Sequence, residues 1–229
     1  MNRAVFAILL PWAMSPGCAA PQADDMVYQP VAAATAAPGS AAEPPAAGGT
    51  LVWLDYADGS TPAPADSMYA GLVPPAAGCG DARRAELRTG LRARFGDLAI
   101  DFVEAEPAGP HMTVVLSSGG DSWTPDGYPG RGGISPFTCG VYLGTSFVFR
   151  AGDSDEDTAA IMVAHEVGHL FGLEHTLDNG QYATLMAPVA SARGESFGLA
   201  ATVDDRCGRA TQDEPEILVA ALGYRKVMP

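Results

Sequence analysis

Eleven residues constrain this chain more than any other stretch: His165-Glu166-Val167-Gly168-His169-Leu170-Phe171-Gly172-Leu173-Glu174-His175. They follow the apolar run Ala159-Ala160-Ile161-Met162-Val163-Ala164, which reads as the buried length of a helix. On a helix, His165 and His169 are one turn apart and share a face, so two imidazole nitrogens can reach one metal ion. Glu166 is rotated one residue off that face. Its carboxylate can therefore bond to a metal-bound water without being a ligand, as a general base requires. Gly172 takes a positive φ at low cost, which ends the helix and folds the chain back so that His175 supplies a third nitrogen. Three neutral imidazoles leave the fourth tetrahedral position of a zinc ion open, the layout of a catalytic site and not of a closed structural one. A buried amphipathic helix that happens to carry histidines would account for an isolated H-x-x-x-H. It does not account for three of the chain's four histidines falling in one pattern, with Glu and Gly also where they are needed.

The segment resembles the zinc motif of the metzincin metallopeptidases, which pair it with a methionine-containing turn beneath the metal. Downstream, Ala183-Thr184-Leu185-Met186-Ala187-Pro188 resembles that turn, with Met186 in the supporting position. The flavour of both stretches is most similar to the matrixin branch. Other branches carry a Tyr two residues after the Met that approaches the zinc; position 188 is Pro, so no such ligand is expected. The resemblance implies an α+β fold, a twisted mixed sheet with two helices above a cleft and a small C-terminal subdomain with one helix. It also implies a zinc-dependent endopeptidase with one catalytic Zn2+ on His165, His169 and His175, Glu166 as the catalytic base, and Gly172 and Met186 in support. The partner is then a protein or peptide substrate, lying extended and pairing with an edge strand, for which Gly133 to Thr138 is the candidate. The other reading of the same residues is a surface binding or adhesion module that keeps the metal for structure only. Glu166 and the Gly172 turn argue against it, since a structural site needs neither.

The remainder of the chain is consistent with an exported protein. With 229 residues, 47% hydrophobic and 17% charged, it has material for one domain of moderate size plus extensions. Its formal net charge of -14 argues against nucleic acid or an anionic membrane surface as a partner. Residues 1–18 read as an export signal: Arg3, then an apolar stretch from Val5 to Leu10, then the small residues Ser15 and Gly17. Cys18 after Gly17 is a candidate for lipidation, which would tether the chain to a membrane without spanning it; simple secretion is the alternative. Residues 19–49 are rich in Ala, Pro and Gly, lack apolar periodicity, and read as a disordered, extended linker.

The catalytic domain is expected over residues 50–229. Leu51 to Tyr56 reads as a strand closed by Asp58-Gly59. Asp81 is placed to cap a helix whose Leu87, Leu91 and Phe95 recur every four residues, with Gly96 as its stop. Leu98, Ile100 and Phe102 alternate as a second strand, and Met112, Val114 and Leu116 as a third. The glycine-rich segment from Ser117 to Gly133 has no period and reads as a long surface loop. Ile134 to Phe137 reads as a short edge strand, where Pro136 is tolerated, and Phe147-Val148-Phe149 as another strand. Near the end, Pro215 starts a helix with Ile217, Leu218, Ala221 and Leu222 on one face and Gly223 at its stop.

Two further groups of residues need a reading. Asp153, Asp155, Glu156 and Asp157 crowd the entrance of the metal helix, where acidic groups favour its positive end. A Ca2+ site is the alternative, since matrixins carry acidic calcium ligands in a comparable place and oxygen clusters suit calcium. Matrixins also hold a structural zinc in the loop before the edge strand; Ser117 to Gly133 has no histidine, so no second zinc is expected. Beyond Cys18 the cysteines are Cys79, Cys139 and Cys207, which allow three pairings with one left over. Cys139 with Cys207 is favoured because both should flank the cleft. Matrixin proforms block their zinc with an upstream thiolate, but Cys79 lacks the surrounding Pro-Arg-Cys-Gly pattern and Arg206-Cys207-Gly208 lies downstream.

Overall fold

The computed structural model describes residues 49–119, 132–177, 184–188, 196–203 and 205–225. The export-signal, linker and long-loop readings at 1–48 and 120–131 lie outside them. Among the described residues ten elements follow in order. These are β1 (Thr50–Tyr56), α1 (Asp81–Phe95), β2 (Ile100–Val103), β3 (Met112–Leu116), β4 (Gly133–Ile134), β5 (Thr145–Val148), α2 (Glu156–Leu170), β6 (Leu199–Ala201), β7 (Thr211–Asp213) and α3 (Glu214–Leu222).

Five strands form one mixed sheet in the order β2-β1-β3-β5-β4. The first four are mutually parallel and β4 runs antiparallel to β5 at the sheet's edge. Parallel strands are covered on both faces, which is why all five residues of β3 are buried although only Met112, Val114 and Leu116 alternate as apolar residues toward one side. On that side, α1 and α2 contribute Leu87, Leu91, Phe95, Ala160, Val163, Val167 and Leu170 to the main core. On the other, Val115, Phe147 and Phe149 pack with Ala63 and Tyr69 from the long connection after β1. The two helices cross closely where Gly90 meets Ala160, since a Cβ on Gly90 would come within 2.9 Å of the alanine methyl. Arg83 to Glu156 at 2.9 Å and Arg94 to Asp157 at 2.6 Å join them at the surface. This is the mixed α/β sheet with two helices on one face that the motif resemblance implies.

Several boundaries differ from the sequence reading. Gly80, not Asp81, is the N-cap of α1, with extended backbone and no side-chain cap; Asp81 is the first helical residue, where its charge still favours the helix dipole. The edge strand is only Gly133–Ile134, because Pro136 has no N–H to continue the ladder with β5. The strand β5 begins at Thr145, two residues before the apolar run that marked it, because its small polar residues Thr145 and Ser146 are buried against β3.

The antiparallel pair β6-β7 is not evident in the sequence. It leads into α3, which is capped by Asp213 accepting from Glu216 N at 3.0 Å, carries Pro215 in its first turn, and ends at Gly223 with φ 67°. The chain then returns to the β2 edge, where Ala99 N donates to Gly223 O and Arg225 N to Asp97 O. Among the described residues no helix is long and apolar enough to cross a membrane.

Candidate metal centre

The last two turns of α2 carry the first half of the motif. Asp155 caps this helix by accepting from Thr158 N at 2.8 Å, and that bond holds its carboxyl below the usual carboxylate range. Buried apolar residues from Ala159 to Val167 fix the helix against the sheet, so His165 and His169 have little freedom to move. After Leu170 the chain breaks at Gly172, whose φ of 81° is the left-handed conformation that glycine adopts without strain. A side chain there would also come within 2.8 Å of Gly140 N and 2.9 Å of the Cys139 carbonyl carbon. Two independent reasons therefore require glycine at this turn.

His175 follows on a segment held by the C-terminal part of the chain. Val203 N donates to His175 O at 2.8 Å, Leu177 N to Ala201 O at 2.8 Å, and Thr176 bridges Thr202 in antiparallel fashion. The Gln212 side chain clamps the preceding peptide from both sides, accepting from Glu174 N at 3.0 Å and donating to Glu174 O at 2.7 Å. The buried Glu174 carboxylate accepts from Arg206 N at 2.5 Å and Cys207 N at 3.2 Å, and Arg209 donates to Gly172 O at 2.7 Å. The third histidine is thus placed by β6, β7 and the loop between them.

The outcome is a triangle of nitrogens: Nε2 of His165, His169 and His175 lie 3.1 to 3.2 Å from one another. Among the described residues this is the group of three or more ligand-type side chains that converges on one point. Its protonation chemistry fits a cation. Nδ1 of His165 lies 2.9 Å from Leu185 O and Nδ1 of His169 lies 2.7 Å from Leu173 O. A carbonyl accepts only, so each Nδ1 carries the proton, and in the neutral form of each ring the lone pair is on Nε2, facing the common centre. Lone pairs gathered this closely repel unless a cation sits among them. Tetrahedral ligands at zinc–nitrogen distances of about 2.0–2.1 Å are themselves about 3.3 Å apart, close to the spacing found. The residues therefore fit zinc.

Glu166, next to His165 in the chain, is buried at 5% exposure. The hydroxyl of Ser135, one residue beyond β4, donates to its Oε2 at 2.7 Å. Met186 is fully buried beneath the helix, and a Cβ on Gly168 would meet its Sδ at 2.6 Å, so glycine at 168 is what lets the methionine turn approach. The same turn supplies Leu185 O to His165 and Met186 O to Thr176 N.

Cys139 and Cys207 form a disulfide, the favoured pairing, with Cα atoms 5.4 Å apart. It links the stretch after the edge strand to the β6-β7 loop across the Gly172 turn. Cys207 is thereby committed to a disulfide, and Cys79 is buried near Ala77 O and Ala151 O at the start of α1. His111 lies apart from the metal group, with Nδ1 against Gly109 O and its ring beside Trp53. Each of the four acids at the helix entrance has a protein partner: Asp153 accepts from Gly119 N, Asp155 caps the helix, and Glu156 and Asp157 pair with arginines of α1.

The sequence pattern singled out His165, Glu166, His169, Gly172, His175 and Met186, and all six meet in this region. It did not single out Ser135, Glu174, Arg209 or Gln212, nor the carbonyls of Leu173 and Leu185. Only Glu174 left a trace, as an acid inside an otherwise apolar turn.

What the fold and site define is a mixed-sheet domain with a three-histidine centre of the kind that holds zinc. Residues 114–176, from β3 to just past the third histidine, match the family profile described as metallo-peptidase family M12B, reprolysin-like. Among solved structures the chain is similar to metalloproteinase-II from Bacteroides fragilis, at 13% identity and a TM-score of 0.42, covering 81% of this chain and 55% of that one. It is also similar to high choriolytic enzyme 1, a hatching enzyme zinc-protease from the medaka fish Oryzias latipes, at 13% identity and a TM-score of 0.28, covering 79% and 82%. The chain thus spans about half the length of the first of these. Among curated proteins none matches the sequence.

Proposed function

We propose that this chain is a zinc-dependent endopeptidase that hydrolyses peptide bonds outside the cytoplasm. The observation that carries the reading is the convergence of three Nε2 atoms, with the residue next to the first of them a buried, hydrogen-bonded carboxylate. A zinc ion held there by His165, His169 and His175 would supply Lewis-acid polarisation of the peptide carbonyl and a water acidified to a pKa of about 7. The chain's own residues do the rest. Glu166 lies off the ligand face, takes the proton of the attacking water and returns it to the leaving amine. Leu185 O and Leu173 O hold two of the imidazoles in the tautomer that binds metal. The edge strand β4 has one side paired with β5, and its other side suits an extended substrate adding as a further strand.

Within the class, the Leu-Met-Ala-Pro turn supports the matrixin branch, while the profile match falls on the reprolysin-like one. We assign the acidic residues before α2 to capping and to ion pairs, and the reading needs no calcium. The N-terminal sequence supports export, with Cys18 as a lipid anchor and residues 19–49 as the tether.

Cleavage profiling of a peptide library with the purified protein tests the reading. Cleavage that is lost with a chelator and regained with zinc is expected; no cleavage, or cleavage indifferent to the chelator, contradicts it. A binding module would show the first of these contrary results.

A further inference from the structure

The hydrogen bonds around Glu166 assign a role to a residue that no motif marks. Ser135 Oγ lies 2.7 Å from Glu166 Oε2, 2.8 Å from Glu166 O and 2.9 Å from Ser146 Oγ. A serine hydroxyl has one proton and two lone pairs. Two acceptors on Glu166 compete for that proton, and the bond to a carboxylate is the stronger because it is charge-assisted. Ser146 Oγ, fully buried on β5, is a third and uncharged acceptor for the same proton, so the carboxylate remains the strongest of the three. Two residues earlier, on β4, Gly133 completes the setting. A Cβ there would stand 2.6 Å from Glu166 Oε1 and 2.8 Å from its Cγ, so the carboxylate occupies the room that a side chain at 133 would fill.

We propose that Ser135 is a positioning residue that fixes the Glu166 carboxylate for proton transfer. It does so from the residue that follows the strand on which substrate is read to lie. The inference rests on the endopeptidase reading above and deepens it. The base and the edge strand are held in one register, so a peptide that pairs with Gly133–Ile134 meets a carboxylate already in place. A carboxylate free to change rotamer would spend part of its time out of reach of the proton it must take, lowering the rate without changing how substrate binds.

The test compares the full chain with its S135A, E166Q and S135A/E166Q variants. Zinc content by elemental analysis, the thermal midpoint, kcat and KM on a cleaved peptide, and the crystal structure of S135A are measured. S135A is expected to keep one zinc and its thermal midpoint, keep KM within about twofold, and lose kcat by roughly ten- to a hundredfold, the range for a hydrogen bond to a charged or metal-site group. It should cost nothing further in the E166Q background, because the serine acts through that carboxylate. The S135A crystal structure should show Glu166 displaced or spread over rotamers. A kcat within twofold of the parent, a loss confined to KM, or a Glu166 carboxylate unmoved in the S135A crystal would each overturn the proposal. The crystal result does so whether or not the parent cleaves peptides. Failure of the endopeptidase reading shows separately, as a zinc-loaded parent without cleavage.

Discussion

Replacing Glu214 with Gln should make the protein more stable at neutral and alkaline pH. Glu214 begins α3 with no exposed surface, and burial pushes its carboxyl up to about 7 from an ordinary 4.5, against the opposing hydrogen bonds from Thr184 Oγ1 and Gly198 N. A carboxyl that is protonated in the fold needs an acceptor. Thr184 Oγ1, 2.7 Å away, can serve as one by turning its own proton to Thr176 Oγ1, also at 2.7 Å. Because the folded value is raised, the native state holds the proton more tightly than the unfolded chain. The stabilising contribution is therefore complete below pH 4.5 and is lost as pH rises through about 7. A gap of about 2.5 units corresponds to an order of magnitude of 3 kcal/mol. Glutamine has the same shape and does not titrate. E214Q should thus match the parent near pH 4.5 and exceed it by up to about 3 kcal/mol at pH 8, on the order of 5–10 °C in thermal midpoint. Calorimetric or fluorescence melts from pH 4.5 to 8.5 measure the difference directly. A difference that does not change with pH, or a parent that gains on E214Q as pH rises, would show that Glu214 is ionised within the fold and refute the reasoning.

Three other perturbations have defined outcomes. H175A should retain the sheet and α2, since His175 lies outside both, yet bind zinc far more weakly than the parent; unchanged affinity in a competition titration with a chromophoric chelator would count against the third ligand. The double change C139S/C207S opens a link between residues 68 apart, for which chain entropy predicts a loss of about 4 kcal/mol in denaturant melts. A loss below about 1 kcal/mol would mean that the hydrogen bonds around Gly172 hold the loop by themselves. C18S should move the protein from the membrane to the soluble fraction of cells making the full chain, and continued membrane association would disprove the lipid anchor.

How much of this was legible in the sequence follows the range of the interactions. The metal helix was, because one turn of spacing suffices to align His165 with His169, and Gly172 announces its own turn. Helix α1 was too, since Leu87, Leu91 and Phe95 at fourfold spacing are its buried residues. The supports of His175 were not. Leu199–Ala201 and Thr211–Asp213 have no apolar alternation, and they become strands only by pairing with each other. Gln212 and Glu214 look like solvent-facing residues in a polar stretch, and Glu174 like a lone acid in an apolar turn; all three are buried because their partners are one another and the backbone. Ser135 reaches Glu166 across 31 residues of chain, a contact that local pattern does not encode.

The most direct measurement is anomalous diffraction at the zinc absorption edge from crystals of the protein grown with zinc. The account predicts one strong peak about 2.0–2.1 Å from Nε2 of His165, His169 and His175, with solvent as the remaining ligand within hydrogen-bonding reach of Glu166. A peak bound elsewhere, or one whose fourth ligand is a side chain of the protein itself, would contradict it.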